Sequence, residues 1–511
     1  MPVKCLRRRG RGSVVAYVAS VLVSSMLGAC GGGGGGGGGG PVSLGTPTHT
    51  AAEILDIGGD GTDYAEVMAT FADGSFVVAG NHDAAVTVGA GDPAETTFAT
   101  AGAYFARYAA DRSLVWARDV ALTPGAWFAS ACALADGRAV FAGQFGGSIT
   151  FGDGEPNETT VTSGAGGGVF VAAYEADGDL SFAYVVTATV GVFGGALSAR
   201  ALGGFFLAGG FEGTLTLPDA TSASAATLAS AGTLDDLYLA AWDATDTLVG
   251  VRQMSGPGNT FASGVAPTTD GGALVAGTFP DTLLLGDGEA NETTLTSAGG
   301  FDLFVARVGP NLDLLWARRA GGTGDDQGDG TAGLPGDGLA ISGSFSSGMT
   351  FDGLLPAAAS LPSSGTTTLF VARYTSAGDV AWARAAASAD ALRNPGLGAL
   401  PDGRVGLATT MFGTTTVDPQ GLAATVSPAD GSEGLFLQWA ADGTFSWGRT
   451  MTGPFTTQPQ GVLGRSDGSW LVTVTVDDRM TWNPGGPDAT TAEAVGTSTD
   501  GQVLVLLPNA P

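Results

Sequence analysis

Histidine, cysteine and lysine are nearly missing from this chain of 511 residues, which holds two histidines (His49 and His82), three cysteines and a single lysine, Lys4. So little imidazole excludes an HExxH pair and other histidine-based zinc sites. His49 falls in a stretch that reads as linker, so a serine–histidine triad is not expected either. Three cysteines make no disulfide framework. Positive charge is scarce and confined: residues 1–29 carry five basic residues and no acidic one, leaving 16 basic against 49 acidic beyond them, a net charge of −33. A surface this acidic repels phosphate backbones and anionic lipid, which excludes nucleic-acid binding. Helical periodicity is missing as well. No stretch after residue 30 sustains apolar residues at a 3.6-residue period, so no helix is predicted there.

What is present begins with an address. Lys4, Arg7, Arg8, Arg9 and Arg11 precede an apolar stretch from Val14 to Leu27. Fourteen residues are too few to span a bilayer, so residues 1–29 read as a signal peptide. Leu27-Gly28-Ala29-Cys30 resembles the bacterial lipobox, which implies acylation of Cys30 as the first residue of the mature chain. Gly31, rather than Asp, follows it, and by resemblance to the enterobacterial sorting rule this implies the outer membrane. Gly31 to Gly40 and the residues to 50 form a flexible tether of about 25 Å average reach. Membrane attachment would therefore come through the lipid anchor alone. After processing two cysteines remain, and Cys132, in an apolar strand, reads as a small core residue.

From residue 51 to 511 one unit is written seven times. FVARVGPNLDLLWAR at Phe304 returns as FVARYTSAGDVAWAR at Phe370, and the tryptophan recurs at Trp116, Trp316, Trp382 and Trp447, with Phe182 and Gly250 in the same slot. Turn signals keep the same beat at Asp73-Gly74, Asp136-Gly137, Gly203-Gly204, Asp270-Gly271, Asp337-Gly338, Asp402-Gly403 and Asp467-Gly468. Each unit reads as strand, turn, strand, variable loop, strand, turn, tryptophan strand. One four-stranded sheet cannot bury two faces alone, and stacking such sheets about an axis solves that. The strand before each Asp-Gly turn is rich in Gly and Ala, as strands converging on an axis require, and aromatics are expected on the outer strands. The fold predicted is all-β: a seven-bladed β-propeller of four-stranded antiparallel blades. The last unit lacks a tryptophan strand, so Glu53–Ile57 is expected to close the ring beside Val503–Leu507.

The pattern GG-x-GDD…DG-x-x-x-x-x-G…LFVARY…G-x-x-x-WAR resembles the bacterial propeller repeats of the SBBP type, best from Gly256 to Arg384. That resemblance implies an extracytoplasmic propeller lipoprotein and transfers no catalytic residues. Each tryptophan is expected to pack between blades rather than to stack a cofactor.

No catalytic, cofactor or metal site is assigned, and Cys30 is the one site residue. Two kinds of segment suit calcium by composition. One is the pair of loops holding Asp153, Glu155, Asn157 and Glu158, and Asp287, Glu289, Asn291 and Glu292, whose oxygens suit hard cations. The other is the GGxGxD pattern of Gly58–Asp63 and Gly321–Asp326, which calcium-binding rolls need in tandem and which here occurs at widely separated places. The simpler readings are solvated loops and inter-blade connections. The function expected is a monomeric, non-catalytic binding or scaffolding module at the cell envelope, recognising a protein or polysaccharide through loops at one end of the axis. The alternative is a polysaccharide-active enzyme built on two carboxylates about 5–10 Å apart.

Overall fold

The computed structural model describes residues 49–509 except 60, 124, 233, 353–359, 363–366, 389–391, 418–423, 429–431, 454–456, 478, 483–489 and 494–498. The architecture is an all-β propeller, and no helix occurs among the described residues. In the fourth repeat Phe261–Pro267, Ala273–Leu285, Thr293–Val308 and Leu314–Gly321 pair successively as an antiparallel meander. The turns follow from Asp-Gly chemistry. Asp73 accepts hydrogen bonds from the backbone N–H and the hydroxyl of Ser75, at 2.8 and 2.6 Å, while Gly74 takes φ +86°. In the fifth repeat the turn sits one residue earlier than expected: Gly336 and Asp337 take the positive φ, and Gly338 already begins the next strand.

Seven innermost strands surround the axis: Val67–Thr70, Trp127–Ala133, Gly191–Ala199, Phe261–Pro267, Asp326–Leu334, Leu392–Ala399 and Thr457–Gly464. Each lies against the next, and the last lies against the first. Blade number is where expectation and structure part. Counted as separate blades, the propeller gives six, not seven. The hydrogen-bond ladders nevertheless contain a four-stranded meander for each of the seven sequence repeats.

The variable loops are not loops. Each described one folds into a hairpin, and five of these add to the fourth strand of the preceding repeat. Val86–Val88 pairs with His49–Gly59, Thr214–Asp219 with Leu180–Ala188, and Met349–Phe351 with Leu314–Gly321. Thr415–Val417 and Arg479–Trp482 do the same further along. Alternation drives it: Val86, Val88, Leu215, Leu217, Met349 and Phe351 are buried, with threonines between several of them facing outward. The hairpins also cover what would be an exposed edge strand.

Ring closure joins the two chain ends. His49–Gly59 runs antiparallel to Thr499–Pro508, with Glu53 opposite Val505, Leu55 opposite Val503 and Ile57 opposite Gly501. Closure by the N-terminal strand is as expected, but the strand starts at His49, which the sequence reading placed in the linker. Arg465 ties this seam to the first repeat. Its side chain is 2% exposed and donates to the carbonyls of Gly74 (2.6 and 3.1 Å) and Ala110 (2.8 Å).

The tryptophan slot explains why the fifteen-residue segment repeats. Trp116, Phe182, Gly250, Trp316, Trp382 and Trp447 occupy one register position on the fourth strand. The indole N–H of Trp116 donates to the Ala176 carbonyl at 3.1 Å, that of Trp316 to Ser376 at 3.0 Å, and that of Trp382 to Ala441 at 3.0 Å. Those acceptors lie in the turn before the fourth strand of the next repeat. Each ring covers the glycine of that turn so closely that a Cβ on Gly178, Gly378 or Gly443 would come within 2.5–3.0 Å of it.

The other junctions use different pairs at the same two places. Where the strand offers Gly250, the next turn offers Leu312, 1% exposed and at φ +66°, whose Cδ1 lies 3.8 Å from where a Cβ of Gly250 would be. In the closing meander Glu53 stands where Trp316 does, five residues before a Gly-Gly pair, and it forms an ion pair with Arg112 of the first repeat's turn. Trp447 faces the one meander that has no such turn, because its last two strands come from opposite chain ends. There the imidazole of His49 stacks on it, centroids 5.8 Å apart, and the ring Nε2 donates to the Gly468 carbonyl at 2.7 Å. Burial pulls the His49 pKa down, so the ring sits neutral in this seam.

Candidate functional site

Strand order divides the propeller into two faces. The first-to-second and third-to-fourth connections are all tight turns and share one face. The connections that carry the hairpins and those between repeats share the other, so the innermost strands begin at this loop face. The first side chains there are not small. Trp127, Phe193, Phe261 and Gln327 hold one register position, opposite Gln144, Gly210, Thr278 and Ser344 of the second strands. Tyr64 holds the equivalent place, its N–H bonded to the Asn81 carbonyl at 2.9 Å. In each of these five repeats the carbonyl at this position overlies a second-strand glycine so closely that a Cβ would come within 1.7–2.5 Å of it. Gln458, opposite Thr475, continues the row in the seventh repeat.

The result is an arc of four half-buried aromatic residues from four consecutive repeats, joined by two amides, of which Gln327 is exposed. Aromatic residues were expected only on the outer strands, and this arc corrects that reading. A bulge just inside the arc displaces one further residue in each of six innermost strands. In the fifth repeat that residue is Asp329, which is exposed on the strand whose free edge faces the axis. Loss of hydration inside the ring raises its carboxyl to about 7. Glu66 occupies the matching place in the first repeat and is also raised to about 7 by burial. Its oxygens are engaged: Oε2 accepts from the Phe128 N–H at 3.1 Å, and Asn81 Nδ2 donates to both at 3.3 and 3.4 Å.

The residues singled out by sequence are scattered. Cys30, the signal peptide and the glycine tract lie outside the described residues. In the two acidic loops Asp153 and Asp287 are exposed, while the glutamates hold the loops to the protein. Glu155 Oε2 accepts from the Leu180 N–H at 2.6 Å and Glu289 Oε2 from the Leu314 N–H at 2.5 Å. Glu158 and Glu292 close the loop onto the N–H groups of Gly154 and Gly288, and Asn157 and Asn291 donate to the Leu180 and Leu314 carbonyls. Asp92 and Asp219 serve Leu114 and Leu248 in the same way, at 3.0 and 3.2 Å. These loops therefore pin the hairpin tip to the start of the fourth strand in four repeats. Asp326 of the second GGxGxD segment, and Asp63 of the first, are fully buried between repeats. Among the described residues no three acidic, histidine or cysteine side chains are grouped closely enough to hold a metal.

Cys132 is buried, and its thiol pKa is pushed far up by that burial. His82 bonds Asp119 at 3.0 Å. Burial pulls its pKa down, and the bonds to Asp119 and to the Ala84 carbonyl outweigh that and raise it. Gly464-Arg465-Ser466-Asp467-Gly468 has the G-x-S-x-G form, which the sequence reading passed over. It is a hairpin turn between two strands, with no helix after it, and the nearby His49 bonds the Gly468 carbonyl rather than Ser466.

No family model matches the chain, and no curated protein matches it. The SBBP-type likeness thus rests on the repeat pattern alone. Among solved structures, the chain is similar at 10% identity to a protein of unknown function from Bacteroides caccae, over 50% of this chain and 80% of that one, with a TM-score of 0.24. It is also similar at 9% identity to an extracellular domain assigned to a hybrid two-component system of B. thetaiotaomicron, over 87% and 69% of the two chains, with a TM-score of 0.19. Likenesses this faint carry no argument about function.

Proposed function

We propose that this protein is a lipid-anchored, extracytoplasmic propeller of seven blades that binds a polysaccharide of the cell envelope at its loop face and catalyses no reaction. The arc of Tyr64, Trp127, Phe193 and Phe261 with Gln327 and Gln458 carries the reading. A sugar ring has an apolar C–H face and a rim of hydroxyls; aromatic faces cover the first, and amides bond the second. The strongly acidic chain disfavours anionic ligands. The seven-blade count is supported by seven innermost strands in mutual contact around the axis. Against an enzyme stands the engagement of Glu66: of the two carboxylates at the bulge position only Asp329 has no hydrogen bond holding it, and hydrolysis of a glycosidic bond needs two.

Affinity electrophoresis of the Cys30→Ser chain through gels containing polysaccharide extracted from the source envelope tests the ligand. Retardation that disappears in the Trp127→Ala/Phe193→Ala variant is expected, and equal mobility with and without polysaccharide would overturn the reading. Labelling with a clickable fatty acid, followed by fractionation, tests the anchor. The serine variant is expected to lose both label and membrane retention.

A further inference from the structure

The first GGxGxD segment, Gly58 to Asp63, carries the chain from the closing strand into the first repeat, and residues 82–85 clasp it. A Cβ on Gly59 would lie 1.8 Å from the Ala85 carbonyl oxygen, and one on Gly61 would lie 2.1 Å from Asp83 Oδ1, so glycine leaves the room that the clasp takes. The Thr62 N–H donates to Asp83 Oδ1 at 2.6 Å, and the Asp83 N–H donates to the Thr62 carbonyl at 3.2 Å. The Asp63 N–H donates to the Thr499 carbonyl of the last strand at 2.8 Å, and Asp63 pairs with His82 through the backbone.

His82 ends the second strand of its repeat. At the same register position the other six repeats place Phe145, Phe211, Phe279, Phe345, Met411 and Val476, each at most 2% exposed. Only the first repeat buries a titratable ring there, with its side chain 0% exposed. Both ring nitrogens face acceptors: Nδ1 lies 2.9 Å from the Ala84 carbonyl oxygen, and Nε2 lies 3.0 Å from Asp119 Oδ1. Gly102 makes space for this contact, since a Cβ on it would come within 2.7 Å of Asp119 Oδ1 and 3.3 Å of His82 Nε2. A neutral imidazole has one N–H and would point a lone pair at one of these oxygens, whereas an imidazolium donates to both. The charged groups that act on the ring are Asp119, from the fourth strand, and Asp63, 0% exposed, from the crossing segment. Tyr104 of the third strand stands 6.4 Å away between ring centroids, and its hydroxyl is turned to the Tyr64 carbonyl at 2.7 Å.

We infer that His82 is held as an imidazolium and acts as a pH-sensitive clasp on ring closure. Loss of the proton to solvent, from either nitrogen, sets a lone pair against an acceptor and removes the positive charge that faces Asp63 and Asp119. Burial alone would lower the His82 pKa; the bonds to Asp119 and the Ala84 carbonyl, with the charges of Asp119 and Asp63, outweigh it and raise the pKa above the ordinary 6.5. A raised histidine stabilises the fold fully below its unfolded value and loses that contribution as pH rises through the folded one. The clasp is therefore fastened at mildly acidic pH and loosens on the alkaline side. His49, at the start of the closing strand, is held neutral, so the two histidines pin the two ends of that strand in opposite protonation states.

With two histidines in the chain, imidazole nitrogen-15 resonances of the Cys30→Ser protein, made without a histidine tag, read both rings directly. His82 is expected to show two protonated ring nitrogens and a titration midpoint above 6.5, and His49 one protonated nitrogen. A midpoint at or below 6.5, or a single protonated nitrogen on His82 at acidic pH, would overturn the inference. Asp119→Asn tests the clasp itself, because its amide N–H can donate to Nε2 and a neutral ring then satisfies both contacts. Between pH 6 and pH 9 the unfolding midpoint of the parent is expected to fall by several degrees more than that of Asp119→Asn. At pH 9 the Thr62 and Asp63 amides of the parent are expected to exchange faster than those of the variant. Parallel unfolding profiles, or equal exchange at pH 9, would also overturn it. If Asp119→Asn does not fold, His82→Phe, which copies the other repeats, takes its place.

Discussion

At the junction between the fourth and fifth repeats the fourth strand supplies Trp316 and the following turn supplies Gly378; one junction earlier the strand supplies Gly250 and the turn supplies Leu312. The same volume is filled from opposite sides. In the first case the turn glycine takes φ +85° without strain, and the ring also donates to the turn carbonyl. In the second a leucine is held at φ +66°, a conformation that costs an L-residue about 1 kcal/mol or more, because its side chain must fill the space that the missing ring leaves. The closing junction replaces size by charge, with Glu53 and Arg112 at the corresponding places. Repeats are thus interchangeable in their ladders and matched in pairs at their contacts.

The comparison breaks hardest at the glycine. Gly378→Leu puts a side chain into the Trp316 ring and a branched residue at positive φ. We expect a loss of about 4 kcal/mol or more, or no folded protein, read by denaturant unfolding. Trp316→Gly in the same chain should restore part of it, because the pair would then copy Gly250 and Leu312. Next in size is the closing seam. Arg465→Ala leaves the buried Gly74 carbonyl without its donor and should cost about 3 kcal/mol, with hydrogen exchange quickening in His49–Gly59 and Thr499–Pro508 before the other repeats.

Leu312→Gly relieves a strained backbone but opens a cavity beside Gly250, for a net loss of about 2 kcal/mol. Gly250→Trp should recover most of this loss in the double variant and destabilise when made alone, and simple additivity would refute the pairing. Smallest is the charge pair. Arg112 and Glu53 are 29% and 41% exposed, so Arg112→Glu should cost only about 0.5 kcal/mol, shrink further in high salt, and be reversed by Glu53→Arg.

The repeat, the Asp-Gly turns, the absence of helix among the described residues and the pairing of Glu53–Ile57 with the last strand were all legible in the chain. Each depends on neighbours in sequence or on counting strands per unit. The blade count was not settled by counting turns. The outer hairpins were missed because their strands are only two to eight residues long and rich in Thr, Ser and Ala, and what stabilises them is an edge strand one repeat away. The aromatic arc was missed for a related reason. Its residues stand at or just before the starts of innermost strands, most of them otherwise rich in Gly and Ala, and only the ring places Tyr64, Trp127, Phe193 and Phe261 side by side.

The sequence by itself determined that this chain is a ring of β meanders, because a period of about 66 residues, alternating apolar strands and glycine turns leave no other way to bury two faces of every sheet. Which side chain meets which across a junction was decided only by tertiary structure. Glycine opposite tryptophan, leucine opposite glycine, arginine opposite glutamate and histidine over Trp447 are contacts between places some 60 residues apart or at opposite ends of the chain. Nothing local distinguishes a turn glycine that must yield to a ring from one that merely turns. The same holds for Asp302 and Asp326: as sequence they are two acidic residues among many, and only the folded ring removes both from water.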